Sequence, residues 1–191
     1  MPHLIVIAGP NGAGKSTAAP AFLPQILGIT EFVNADAIAL GLSAFAPETV
    51  AFSAGRIMLN RLRQLANQQA NFAFETTLAT RSYAPWIANL RENGYRFHLI
   101  FLWLPNPELA ISRVQERVRT GGHNVPEETI RRRYDAGIRN FFQLYRSLAD
   151  SWRFYNNSTT AVYRLIASGI NEFTEEIYDN ETWEKIVRDY K

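Results

Sequence analysis

Cysteine is absent from the 191 residues, which removes disulfides, thiol nucleophiles and thiolate metal sites together. Histidine is nearly so. His3, His98 and His123 are scattered, a spacing that argues against a zinc cluster. Long apolar runs are missing too. The longest, Leu99 to Leu104, falls far short of the ~20 residues a membrane span needs. The opening residues, MPHLIVIAGP, lack the basic region of a secretory signal and run straight into a strand pattern. These absences predict a cytoplasmic protein with no membrane partner. A strong charge excess is also lacking: 20 basic side chains against 18 acidic ones leave +2, too little to predict a nucleic-acid partner. Hydrophobic residues, at 47%, are plentiful enough for a buried core and exclude general disorder. The length fits one domain over residues 1–191.

Lysine is scarce in an informative way. The basic count is 17 Arg and only 3 Lys, of which Lys185 and Lys191 lie in the last seven residues. The third, Lys15, stands inside a glycine-rich loop.

Strand and helix patterns alternate along the chain. Leu4 to Ala8 is a short β-branched run ended by glycine, the pattern of a buried parallel strand. A helix to about Leu27 follows the glycine loop, and Glu31–Val33 reads as a second strand. Pro47 to about Ala70 reads as one long helix started by proline. Asn71 to Glu75 is the third strand, Ser82 to Asn93 a helix closed by Gly94, and Tyr95 to Leu104 the fourth strand. Two helical patterns, Glu108 to Arg119 and Glu127 to Leu148, flank the loop Thr120 to Pro126. Trp152–Asn156 and Val162–Ala167 are further strand candidates, and a terminal helix is predicted over Asn171–Tyr190. The C-terminal segment from Asn171 is locally acidic at −4, against +6 for the rest. Such alternation predicts a parallel sheet with helices on both faces, and ligands outside the carboxyl ends of its strands.

Three strand ends should therefore meet at one crevice. The first carries Gly9-Pro10-Asn11-Gly12-Ala13-Gly14-Lys15-Ser16-Thr17, which satisfies G-x-x-x-x-G-K-[ST] between a strand and a helix. Its glycines permit close backbone approach to phosphate, and the helix N-terminus adds its dipole. Lys15 is expected on the β- and γ-phosphates of ATP, and the Ser16 hydroxyl on Mg²⁺.

The second strand ends in Asn34-Ala35-Asp36. Asp36 across the crevice is the candidate base for an acceptor hydroxyl, while Asn34 or Asp36 equally suits a helix N-cap. The third ends in Glu75-Thr76-Thr77, where Glu75 is either a clamp on the acceptor or metal shell or a solvated strand end. The fourth ends in Leu104-Pro105-Asn106 without an aspartate, so Glu75 or Asp36 is expected to hold the metal through water.

Arg113, Arg117, Arg119, Arg131, Arg132 and Arg133 surround a Gly-Gly-His loop. They read as a helical lid over about residues 113–133 that neutralises transferring phosphoryl charge, or singly as solvated helix faces. Asn156 and Asn157 are weak candidates for adenine contacts.

The P-loop, Asn34-Ala35-Asp36, Phe74-Glu75-Thr76-Thr77 and the run from Arg117-Val118 through Gly121-Gly122-His123-x-Val125-Pro126 to Ile130-x-Arg132-Arg133-Tyr134 together resemble the zeta toxin family of P-loop kinases, over roughly residues 4–158. The resemblance implies a three-layer α/β fold of the P-loop, nucleotide-kinase-like type, with a mostly parallel five- or six-stranded sheet and a helical lid. It implies Mg-ATP as phosphoryl donor and a sugar hydroxyl of UDP-N-acetylglucosamine as the acceptor in the best-studied members. By the same resemblance Lys15 binds phosphate, Asp36 is the general base, Glu75 and Thr77 contact the acceptor, and Arg117 with His123 or Arg132 stabilises charge; Asn34 and His123 are further candidates for acceptor contact. A small helical antitoxin is the implied protein partner. The chain is shorter than the long toxins, and its Gly-Gly-His lid resembles that of a branch whose acceptor need not be UDP-N-acetylglucosamine. Two other readings stand beside this one: a metabolic kinase similar to gluconate or shikimate kinases, and a non-catalytic nucleotide-binding module controlling a partner.

Overall fold

The computed structural model of the chain describes residues 1–122, 124–159 and 162–191, with backbone alone at residues 24–27. His123, expected to touch ligand, lies outside the described residues. The strands are β1 (His3–Ala8), β2 (Glu31–Val33), β3 (Phe72–Thr76), β4 (Arg96–Trp103), β5 (Ser151–Asn156), β6 (Arg164–Ile170) and β7 (Phe173–Ile177). The helices are α1 (Lys15–Leu27), α2 (Ala35–Leu42), α3 (Ala51–Asn67), α4 (Tyr83–Glu92), α5 (Pro107–Arg119), α6 (Glu127–Asn140), the single turn α7 (Arg146–Leu148) and α8 (Asn180–Tyr190).

Leu4 to Ala8 in β1 are wholly buried. A run with no polar side chain can be placed only where both faces of the sheet are covered, and β1 occupies that place in the order β2-β3-β1-β4-β5-β6-β7. β1 pairs in parallel with β3 on one side and β4 on the other. The chain therefore changes direction across the sheet at the carboxyl end of β1, which is where open α/β sheets bind ligands. Phe154 and Tyr155 point to opposite faces, as neighbours in a strand must. Phe154 packs against Trp183 of α8 and Tyr155 against Phe22 of α1, so helices cover both faces.

Several expectations are corrected. The sheet has seven strands rather than five or six. The terminal helix begins at Asn180 rather than Asn171, because residues 173–177 form β7, which pairs antiparallel with β6. β7 is an edge strand with Phe173, Glu175, Glu176 and Ile177 all exposed, so the alternation that would mark a half-buried strand is missing from its sequence. The long helix from Pro47 divides into a 3₁₀ turn, Pro47–Val50, and α3. The helix from Glu127 loosens into a π turn at Phe141–Tyr145. α2 was foreseen only as a capping alternative.

The π turn lies where the helix grips the segment after β3. Asn140 Nδ2 donates to the Leu78 carbonyl (2.9 Å), and the Tyr145 hydroxyl donates to that of Thr80 (2.6 Å). Gly137 allows the α6 backbone to pass against the Thr77 carbonyl, where a Cβ would collide. Leu78 is held at φ 61°, a conformation unfavourable for leucine. Among the described residues no single helix is both long and apolar enough to cross a membrane.

At the amino end of the sheet, His3 Nδ1 and His98 Nε2 are 2.9 Å apart, and His98 Nδ1 lies 2.7 Å from Ser151 Oγ. Burial, and then the neighbouring His3, hold the His98 imidazole below its ordinary pKa. The unfolded chain therefore takes up this proton more readily than the folded one. The contribution is complete above about pH 6.5 and declines as pH falls through that value. The urea midpoint should drop between pH 7.5 and pH 5, and His98→Gln should flatten that drop; an equal slope in the variant would rule out this origin.

Candidate active site

The glycine loop joins β1 to α1 and takes left-handed backbone angles at Gly9, Gly12 and Gly14. At Gly9 (φ 143°) a Cβ would run into the Leu102 carbonyl oxygen, so the loop folds tightly over the end of β4 only because that residue is glycine. Asn157 Nδ2 donates to the Ala13 carbonyl at 2.7 Å. Arg113 donates through Nη1 to Asn157 O (2.8 Å) and through Nη2 to Ser158 O (2.9 Å), with a longer contact from Nη1 to Gly12 O (3.4 Å). These two side chains brace the loop, Asn157 from the end of β5 and Arg113 from α5. Sequence reasoning gave them other work, Arg113 in the lid and Asn157 at adenine. No local signal marks such a brace, since its partners are more than forty residues away.

Lys15 is buried, and its Nζ donates to the Pro10 carbonyl at 3.0 Å. Burial lowers its pKa, and the carboxylates of Glu75 and Asp36 act against that lowering. The Ser16 hydroxyl donates to Glu75 Oε2 at 2.8 Å and accepts from Asn34 Nδ2 at 3.3 Å. Asn34 is also the N-cap of α2, its side-chain oxygen accepting from the backbone N–H groups of Asp36 (2.7 Å) and Ala37 (3.1 Å). Both alternatives posed for this strand end thus meet in the structure. Asn34 caps the helix, and the cap sets Asp36 in the first helical turn, where it lines the cleft.

That cleft, of about 250 Å³, lies beyond the carboxyl ends of the strands. Asn11, Lys15, Asn34, Asp36, Glu75 and Thr77 all line it, as do Thr76, Tyr83, Val125 and Arg133. Arg117 borders it through an ion pair with Asp36 (4.0 Å). Asn11 presents a buried amide whose oxygen has no protein partner. Of the other arginines of α5 and α6, Arg119 pairs with Glu116 (3.2 Å) and Arg131 with Glu108 (2.6 Å). Arg132 is exposed and outside the lining; the adjacent Arg133 faces the cleft. Burial, and then the like charge of Arg132, lower the Arg133 pKa, while Asp36 opposes them. One residue of helical rotation separates the two, and an exact facing is what periodicity resolves least well.

A family model described as an AAA domain, AAA_33, matches residues 4–141. The chain belongs to this AAA domain family. An uncharacterized protein of Haemophilus influenzae is 29% identical over 130 residues, which is 68% of this chain and 91% of that protein. The AvrRxo1-ORF1:-ORF2 crystal structure with ATP superposes with a TM-score of 0.75 at 19% identity, covering 97% of this chain but 63% of that one. The chain thus spans less than two thirds of that protein's length. A chain from the PezAT chromosomal toxin-antitoxin system of Streptococcus pneumoniae gives a TM-score of 0.64 at 14% identity, covering 100% and 87%. These likenesses establish the α/β P-loop fold for the AAA domain described here.

The site of this AAA domain suits Mg²⁺ in one respect. Ser16 and Glu75 set a hydroxyl and a carboxylate side by side, the hard oxygen donors such an ion takes together with phosphate. Among the described residues there is no cluster of three or more histidine or acidic ligands that could hold a metal without phosphate.

The brace is testable. Asn157→Ala leaves the buried Ala13 carbonyl without its donor, at a cost of about 1–3 kcal/mol. A lower Tm and weaker equilibrium binding of ATP are expected; if neither changes, the loop does not depend on this contact.

Proposed function

We propose that this AAA domain is an ATP-dependent kinase of the zeta toxin type, transferring the γ-phosphoryl group of ATP to a hydroxyl of a small metabolite in the cytoplasm. One observation carries the reading: the P-loop lysine and the carboxylate that follows β2 line the same cleft. A module that only sensed nucleotide would need no carboxylate on the acceptor side.

In this mechanism the loop N–H groups and Lys15 bind the β- and γ-phosphates. Asp36 orients the acceptor hydroxyl and takes its proton as the oxygen–phosphorus bond forms and the bond to ADP breaks. Arg117, next to Asp36, and Arg133 offset charge on the transferring group. Asn34, Glu75 and Thr77 contact the acceptor. Mg²⁺, held by Ser16 with Glu75, would supply further neutralisation of phosphate charge when bound. An inhibitory protein partner belongs to the same reading, supported by the two-component systems in which the structural neighbours occur.

The test is ADP release from ATP with and without acceptors, UDP-N-acetylglucosamine, gluconate and shikimate among them. No stimulation by any hydroxyl compound would favour the nucleotide-controlled module. Asp36→Asn should lower acceptor-dependent turnover by about 10²–10⁴-fold while ATP binding stays nearly unchanged; retained turnover would remove Asp36 from the mechanism. Arg133→Ala should cost about 10²-fold in kcat, and Arg132→Ala, exposed as that side chain is, should leave kcat close to wild type. The opposite order would place Arg132 at the phosphate.

A further inference from the structure

A groove runs between α3 and α4. At one end it is a hollow of about 170 Å³, with Leu59 and Leu62 of α3 facing Tyr83 and Trp86 of α4. Tyr83 also lines the cleft, so the groove begins where the cleft ends. Arg63 and Trp86 lead into a second hollow of about 440 Å³. Its walls include Ala66 and Leu90 and the amides of Asn67, Asn89 and Asn93. From Leu59 to Asn67 the groove follows α3 for about 12 Å.

The exposed side of α3 extends this surface. Phe52 (81% exposed), Arg56, Leu59 (39% exposed) and Arg63 recur at helical spacing and form one stripe. Exposed apolar side chains in a row mark an interaction site. Stripe and groove together run from Phe52 to Asn67, about 22 Å of helix. That length exceeds a small metabolite, and a concave apolar channel of this kind receives a helix laid along it.

The charges here have one sign. α3 contains Arg56, Arg61 and Arg63 and no carboxylate. Arg61 is held by Glu31 (2.8 Å). Arg63 is the one charged side chain among the described residues that line either hollow, and it forms no ion pair with the described residues. Arg81 stands exposed just ahead of α4. Arg91 is bonded to Asp150, and Arg91 and Glu92 line a different hollow. Glu48 precedes α3 in the 3₁₀ turn and lines neither hollow of the groove. A partner that placed a cation at Arg63 would be repelled, and one that placed a carboxylate there would be held.

We infer that the α3–α4 groove is a docking site for an acidic amphipathic helix of another protein. Its apolar stripe would lie on Leu59, Leu62 and Trp86, and its carboxylates would meet Arg56 and Arg63. Through Tyr83 such a partner would touch a side chain of the cleft.

Two fluorescein-labelled, hydrocarbon-stapled peptides of about four helical turns test the inference. Both carry leucine along one stripe; the remaining positions are glutamate in one and lysine in the other. Fluorescence anisotropy should show the glutamate peptide binding at least about tenfold more tightly, with the gap narrowing as salt is raised. Arg63→Glu, at an exposed position, should abolish that preference with an unchanged Tm, and Leu59→Ala should weaken the glutamate peptide. Binding of neither peptide, equal binding of both, or a preference that survives Arg63→Glu would overturn the inference. So would a dimer of this chain that Arg63→Glu dissolves, which would seat a second copy in the groove. Retention on phosphatidylglycerol vesicles without peptide binding would make the face a lipid contact and overturn it as well.

Discussion

The phosphate loop is held in shape from outside itself. Asn157 and Arg113 reach it from the end of β5 and from α5, satisfying carbonyl groups at Gly12 and Ala13 that a glycine-rich turn leaves exposed. A loop whose amides are to surround an anion must keep those N–H groups free, so its carbonyls need partners on the other side. The brace also ties the loop to β4, through the backbone bond from Asn157 to Trp103 and the close passage of Gly9 over Leu102. Lys15 and Ser16 inherit their positions from this frame.

The wall of the cleft after β3 is held by a different device. Beyond β3 the chain turns through Leu78 in a left-handed conformation, and it is fastened by Asn140 of α6 and Tyr145 of the π turn. Strain of about 1–3 kcal/mol persists only where neighbouring contacts over-determine the backbone. Here those contacts come from the helix that also carries Arg133, so the Thr77 wall and the arginine facing it share one support. The π turn is part of this fit, since it begins just after the asparagine that grips the turn.

Charges of both signs meet at the cleft. Lys15 and Arg133 line it together with Asp36 and Glu75, and the ion pair of Arg117 and Asp36 joins α5 to α2. Both partners of that pair are partly exposed, so it is a weak tie in energetic terms. It nevertheless places the guanidinium of α5 beside the carboxylate of α2.

The short-range pattern Gly9 to Thr17, between a β-branched run and a helix, determined by itself that a phosphate loop would form, because the motif's requirements are local: positive φ angles, free amides and one lysine. The alternation of strands and helices likewise determined the parallel sheet, and with it the meeting of Lys15, Asp36 and Glu75 at one end. Tertiary structure alone decided the rest. β7 was hidden because an edge strand has no buried face to imprint on its sequence. The π turn, the left-handed Leu78 and the brace at Asn157 depend on partners distant in the chain. That Arg133 and not Arg132 lines the cleft depends on the rotation of one helix about its axis, which is fixed by packing and not by composition.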